Sequence, residues 1–321
     1  MTPMPSPLGL TFTLVTSLLA TAPGRCTEAG GQLLLVGPSR SLTRPSEAAA
    51  VARDGVVVEI DAAVYLGDVA VWRQNGLTLR GSRNGRAHLM AAGRAAEGKA
   101  IWVIKGDDVT VENVELSGAR VSAHNGAGIR AEGVGLTIRN CRFHHNEMGL
   151  LTNNDPAGWV TIERSEFDHN TTDTEGHGRL GHNIYIGRIS RFVLRASYVH
   201  DAHIGHLVKS RATHNQILGN RILDADGDSS YLIDLPEGGR AEIRNNVLRQ
   251  GARSANRAAI DFAAEANRDA PGQSLKVIGN DFVSEGAPAT FVRNFSIAPA
   301  LLQGNRVRGE VRPVVGKGEV R

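Results

Sequence analysis

The sequence predicts an all-β fold: a right-handed parallel β-helix, a solenoid of three short strands per turn with a short capping helix at its N-terminal end. Three observations predict it. An apolar residue followed five places later by another, with Asn or a small or polar residue between, recurs eight times. A second apolar register recurs about ten residues upstream of most pairs, and successive pairs lie 23–34 residues apart. Repeats of that period, built from short alternating β-branched runs punctuated by Gly and Asn, describe stacked coils and exclude helical solenoids.

Along the chain, residues 8–22 form an apolar and small-residue run ending in Ala20-Thr21-Ala22, an A-x-A-like cleavage site. The run is too short for a membrane span, and no later stretch approaches ~18 apolar residues. Residues 1–7 carry no Lys or Arg, which leaves an N-terminal anchor or a misplaced start as alternatives. The expectation is a cleaved signal peptide over residues 1–22 and a periplasmic or secreted chain. Cys26 follows Arg25, outside any lipoprotein-type box, and Cys141 falls inside a strand repeat, so core is expected there before a bridge.

Residues 45–52 read as a short helix followed by Asp54-Gly55 and a strand over residues 56–60. This helix is assigned as the cap, because an open coil exposes unpaired strand edges. Residues 77–81 look like an early coil. The pairs then run Val111/Leu116, Ile138/Phe143, Ile162/Phe167, Leu194/Val199, Ile217/Ile222, Ile243/Leu248, Val277/Phe282 and Leu302/Val307. Asn113, Asn140, Asn220, Asn246, Asn280 and Asn305 sit in the bend between members, where Asn tolerates left-handed backbone and stacks through its amide. No linker or composition shift divides residues 31–321, which are expected to be a single domain and a monomer.

The second register reads Ile101, Ile129, Leu150, Ile184, Leu207, Leu232, Ile260 and Phe291. Two residues on, alternation predicts another inward column, which reads Val103, Ala131, Thr152, Ile186, Lys209, Asp234, Phe262 and Arg293. Lys209 and Asp234 break it on consecutive coils, about 4.8 Å apart. Either they form a buried ion pair, at several kcal/mol of desolvation per ion, or the strand bends outward there. The outward bend is the expectation, and breaks of this kind are where function is sought. Titratable groups gather around the same level. Lys209, Asp234, His206, Tyr231 and Arg211 are the candidate catalytic residues, with His182, Asn183, Tyr185, His203, Glu237 and Asp261 as substrate-binding candidates. Trp102, Tyr185 and Tyr231 are expected on one face. Glu175 and His177 stand as a rim.

The cap segment, the GVVVEI and GLTLRG steps and the repeated I-x-N-x-x-F coils resemble the pectin-lyase-like superfamily over roughly residues 45–310. That resemblance implies the fold and leaves lyase, hydrolase, epimerase and binding activities open. Lys209-Ser210, with Asn215 and Asn220 following, is similar to the Lys-Ser step of family 6 polysaccharide lyases, which implies Lys209 as base. The Arg-His-Gly of that family's next coil is replaced here by Asp234-Leu235-Pro236.

A lyase acting on a uronic acid must neutralise its carboxylate, remove the α-proton and protonate the leaving oxygen. Lys209 or Arg211 suits the first task, Lys209 the second, and Tyr231 or His206 the third. A glycoside hydrolase needs two carboxyls ~5–5.5 Å or ~6.5–9.5 Å apart, for which Asp234 and Asp261 are candidates, with Glu237 and Asp201 as alternatives. The third class is a wall that grips a polysaccharide without cutting it. Elimination or epimerisation of an acidic polysaccharide is placed first. A net charge of +3, spread without basic runs, suits an acidic partner but equally a solvated surface. The 21% of charged residues excludes a disordered or coiled-coil chain, and nothing points to nucleic acid.

No metal or cofactor is expected at the site. Ca²⁺ is a minor reading, carried by the alternating carboxylates of Asp224-Ala225-Asp226-Gly227-Asp228, a pattern more often a solvated turn. His200-x-x-His203-x-x-His206 has a ligand-rich look, but that spacing does not place three side chains on one side of a strand.

Overall fold

The two apolar members of each repeat are rungs of two separate sheets. Val111, Ile138 and Ile162 pair in register and continue without a slip through Leu194, Ile217, Ile243 and Val277 to Leu302. Leu116, Phe143 and Phe167 do the same down to Val307. The computed structural model describes Met1 and residues 32–172, 181–286 and 288–321. The signal-peptide reading of residues 1–22, Cys26, and the rim residues Glu175 and His177 lie outside the described residues. Gly31–Arg321 forms one unit.

All named strand pairings are parallel, in a first sheet of twelve strands and a second and third of ten each among the described residues. Each coil visits the three in turn, as in Val109–Glu112, Val114–Ser117 and Ala127–Ala131. Inward residues meet their register partners one coil away, giving a continuous apolar core. Phe143 and Phe167 stack between adjacent coils at 4.6 Å between ring centres, and Phe282 and Phe291 stack across the second and third sheets at 4.9 Å. The helix Pro45–Val51 closes the N-terminal end, packing on Leu33–Val36 and Ala70–Trp72. Pro45 occupies its first turn, and the Glu47 carboxylate accepts the Thr43 and Arg44 backbone N–H groups at 2.6 and 3.2 Å.

The bend between first and second sheets divides two tasks that the sequence assigns to one Asn. Left-handed backbone belongs to Asn113, Asn140, Arg164, Ala196, Gly219, Asn245, Gly279 and Gly304. The residue after each of the last four, Asn220, Asn246, Asn280 and Asn305, turns inward. Each amide there hydrogen-bonds the next, at 2.9–3.0 Å. Ser165 and Ser197 continue this buried column upstream to Cys141, a buried free thiol. A second ladder, Asn146 to Asn170 to Asn183, lines the corner between second and third sheets.

That corner corrects the register expected for the third sheet. Leu207 and Val208 are both core residues, as are Leu232 and Ile233, Ile101 and Trp102, and Phe291 and Val292. Two successive inward residues at a corner shift the phase of alternation by one. The inward rungs are therefore Trp102, Ile129, Leu150, Ile184, Val208, Ile233, Ile260 and Val292. Lys209 and Asp234 belong to the outward column beside them, and no bend is needed to turn them out. Trp102 is in the core, edge-on to Trp72 at 5.6 Å, and does not share a face with Tyr185 and Tyr231. Among the described residues, no helix is long and apolar enough to cross a membrane.

Candidate functional site

The outward column of the third sheet runs Arg130, Leu151, Tyr185, Lys209, Asp234, Asp261 and Arg293, one residue per coil. Stacking at about 4.8 Å turns this sequence-distant set into a contiguous stripe. Within it two adjacent carboxylates, Asp234 and Asp261, are flanked by a cation on each side, Lys209 and Arg293. Lys209 Nζ donates to Asp234 Oδ2 at 2.6 Å, and Arg293 Nε to Asp261 Oδ1 at 2.6 Å. Arg293 also donates to the Tyr231 hydroxyl and lies over its ring at 5.4 Å.

A second column flanks the stripe. The rings of His182 and His206 stack at 4.9 Å, and Tyr231 follows His206 at 5.1 Å. His182 Nδ1 accepts the His206 backbone N–H at 2.9 Å, and His206 Nδ1 accepts that of Tyr231 at 3.3 Å. Both imidazoles therefore carry their proton on Nε2 when neutral. His206 Nε2 then faces Asp234 Oδ2 at 3.3 Å, so this carboxylate receives both Lys209 and His206.

Burial sets the protonation states. It pushes His182 down to about 3, helped by Lys209 and Arg211, and holds His206 well below its ordinary value, helped by His182 and Lys209. Both are neutral at physiological pH. Burial also raises the carboxyl of Asp234 against the pull of Lys209, and that of Asp261 against the pull of Arg293.

On the other flank, Arg211 gathers an acidic and phenolic rim. Its guanidinium donates to Glu237 at 2.8 Å and to the Tyr185 hydroxyl at 3.0 Å, and pairs with Glu265 at 2.7 Å. Arg188 shares Glu237. A groove of about 380 Å³ opens alongside, lined among others by Arg130, Met148, Leu151, His182, Tyr185 and Lys209.

Of the eleven expected site residues, nine meet in this network: Lys209, Asp234, His206, Tyr231, Arg211, His182, Tyr185, Glu237 and Asp261. Asn183 does not. It is 0% exposed, and its amide donates inward to the carbonyls of Phe167 and His200, because it belongs to the corner ladder. His203 pairs instead with Asp228 at 2.6 Å. Three further residues complete the network. Arg130 and Arg293 carry the outward alternation to its ends, a signal visible once the register is right. Glu265 comes from the segment after Ala258–Phe262 and breaks no repeat.

The carboxylates of Asp224, Asp226 and Asp228 do not converge on a common point. Asp224 is fully buried and accepts from Ser229 and Ser254, while Asp228 accepts from His203 and Ile204. His200, His203 and His206 face Asp201, Asp228 and Asp234 respectively, so the histidine spacing does not form one ligand set.

Several solved structures share this architecture. A pectate lyase, Pel9A, is 13% identical, with a TM-score of 0.57 over 91% of this chain and 80% of its own. The pectin methylesterase from Aspergillus niger is 13% identical, with a TM-score of 0.53 over 92% of each chain. The ORF18 protein of Geobacillus virus E2 is also 13% identical, with a TM-score of 0.50 over 82% of this chain and 53% of its own. At that identity the likeness is one of fold. No curated protein sequence matches the chain. The family description "Right handed beta helix region" matches residues 73–294, the segment holding the whole outward stripe. With parallel sheets stacked coil on coil through that same span, the chain belongs to the right-handed β-helix family.

Proposed function

We propose that this chain is an exported protein that binds an acidic polysaccharide along the third sheet and cleaves it by β-elimination. One observation carries the reading. A lysine ammonium, Lys209, is fixed at 2.6 Å by Asp234 on the wall of a groove that also presents Arg130 and a hydroxyl held by arginine, that of Tyr185. That a pectate lyase and a pectin methylesterase use the same fold supports a carbohydrate substrate.

Each group has a task. Lys209, whose amine donates to Asp234 at 2.6 Å, faces the groove as the partner of the uronate carboxylate. Tyr185, its oxygen held by Arg211 at 3.0 Å, takes the α-proton; the carbon–oxygen bond at the β-position breaks, and the same oxygen returns the proton to the leaving oxygen. His182 and His206, neutral and stacked, form an uncharged floor. Tyr185 is preferred to Lys209 as base because the Lys209 amine is engaged by Asp234 at 2.6 Å, while the Tyr185 oxygen accepts from Arg211 at 3.0 Å.

The test is incubation with alginate, pectin, glycosaminoglycan and bacterial exopolysaccharide panels, following unsaturated-uronate absorbance and reducing ends together. Both signals should rise, and Tyr185→Phe should lower the rate roughly 100-fold. A second reading, hydrolysis by Asp234 and Asp261, is favoured by their pairing across adjacent coils and the upward displacement of both carboxyls. It yields reducing ends alone. Retention on a polysaccharide with neither signal assigns binding without catalysis.

A further inference from the structure

A second group of chemistry-bearing residues lies on the outward face of the second sheet, away from the stripe just described. His88 and Glu115 are register partners on adjacent coils, and His144 projects from the next coil. His144 Nε2 is 2.8 Å from Glu115 Oε1, and His88 Nε2 is 3.8 Å from the same oxygen. One donor atom from each residue lies within 4.8 Å of the other two. The geometry points to a zinc-class divalent metal site formed by His88, Glu115 and His144, with a fourth position open to solvent.

The donor set suits the ion. Two imidazoles and a carboxylate are ordinary first-row ligands, with metal–ligand distances of about 2.0–2.2 Å, and three protein ligands leave a place for water. Ligand atoms around such an ion sit further apart than the 2.8 Å between His144 and Glu115, so the ion enters by parting that hydrogen bond. His144 is prepared for this. Its Nδ1 lies 2.8 Å from His145 Nδ1, so when the metal takes Nε2, the displaced proton moves to Nδ1 and is donated to His145. His88 Nε2 meets the Ser117 hydroxyl at 2.7 Å, which can hold it as an acceptor until the metal replaces it. Arg142, the register partner of Glu115 on the next coil, is held by Asp168 through two contacts of 3.1 and 3.2 Å, and Glu115 makes its contacts with the two histidines.

The neighbouring group Glu166, Asp168 and His200 also has donors within 4.8 Å, but its charges are spent. Asp168 holds Arg142 and His169, and His200 holds Asp201 at 2.7 Å. It serves as the internal control. A metal on His88, Glu115 and His144 would staple three successive coils and stabilise them in proportion to its occupancy.

The experiment uses the full chain stripped with chelator, then titrated with Zn²⁺ calorimetrically and with Co²⁺ spectroscopically. One ion per chain, a tetrahedral Co²⁺ visible spectrum and a raised thermal midpoint are expected. His88→Ala and His144→Ala should abolish all three, His145→Ala should weaken binding about 10–100-fold as an outer-sphere partner, and His200→Ala should leave binding unchanged. Circular dichroism of the metal-free variants checks their folding. Absence of Zn²⁺ and Co²⁺ binding by the unmodified chain overturns the proposal, as does binding that survives in a folded His88→Ala or His144→Ala or disappears in His200→Ala.

Discussion

Lys209 Nζ lies 2.6 Å from Asp234 Oδ2 across adjacent coils, with the lysine side chain 12% exposed and the aspartate 3% exposed as a residue. The two sit on the outward face of a sheet yet are shielded as an interior pair would be. The stacked rings of His182, His206 and Tyr231 run along one side, and Glu265 approaches Lys209 to 3.9 Å on the other. Both alternatives left by the sequence, an outward-facing pair and a buried one, are thus partly realised at once.

Removing one partner of such a pair strands the other. Asp234→Ala should lower the unfolding free energy by about 3 kcal/mol, the size seen when a buried ion pair is halved. Replacing both residues with apolar ones, Lys209→Met with Asp234→Leu, should cost much less. Urea unfolding midpoints of the three variants decide this, and an Asp234→Ala loss of only about 0.5 kcal/mol would put the pair in the class of surface contacts.

Acid should weaken the fold through the stacked histidines. Burial pushes His182 from 6.5 to about 3 and His206 well below 6.5, each helped by neighbouring Lys209. The unfolded chain binds these two protons as pH falls through 6.5, whereas the folded chain refuses them. Stability is therefore full above that pH and declines down towards about pH 3, where His182 itself takes up its proton. His182→Asn, which retains an acceptor for the His206 N–H, should flatten the fall in urea midpoint between pH 7 and pH 4. An unchanged slope would remove His182 from the account.

Cys141 is fully buried, and its thiol is pushed up to about 12 by burial. It should resist thiol-modifying reagents in the native chain and react at once in denaturant, since the thiolate is the reactive form. Peptide mass spectrometry after labelling under both conditions distinguishes Cys141 from Cys26.

The amide ladder should be most sensitive at its middle. Asn246 accepts from Asn220 and donates to Asn280 and to the Ile217 carbonyl, all out of solvent. Asn246→Ala leaves several buried groups unpaired and should cost about 1–3 kcal/mol for each. Asn305, partly exposed at the ladder's end, should tolerate alanine better. Equal losses in the denaturation midpoint would count against an additive ladder.

Much was fixed by the chain's own pattern. From Val111 to Val307 the same apolar pair recurs once per coil, at 23–34 residues, because coil-on-coil stacking repeats the same buried environment every turn, so these rungs of the first and second sheets were legible one by one. Lys209 and Asp234 stood out because charge is costly where the expected register placed a core, and His206 and Tyr231 because titratable groups gather at the same level. What tertiary structure alone decided was phase and partnership. At the corner before the third sheet, two consecutive inward residues shift the alternation by one, which local sequence does not mark because Leu207 and Val208 are equally apolar. That shift placed Lys209 in line with Tyr185, Asp261 and Arg293, sent Asn183 inward, and brought Glu265 from an irregular segment to the rim. Contacts made by irregular segments depend on where the stack places them, and no period in the sequence encodes that.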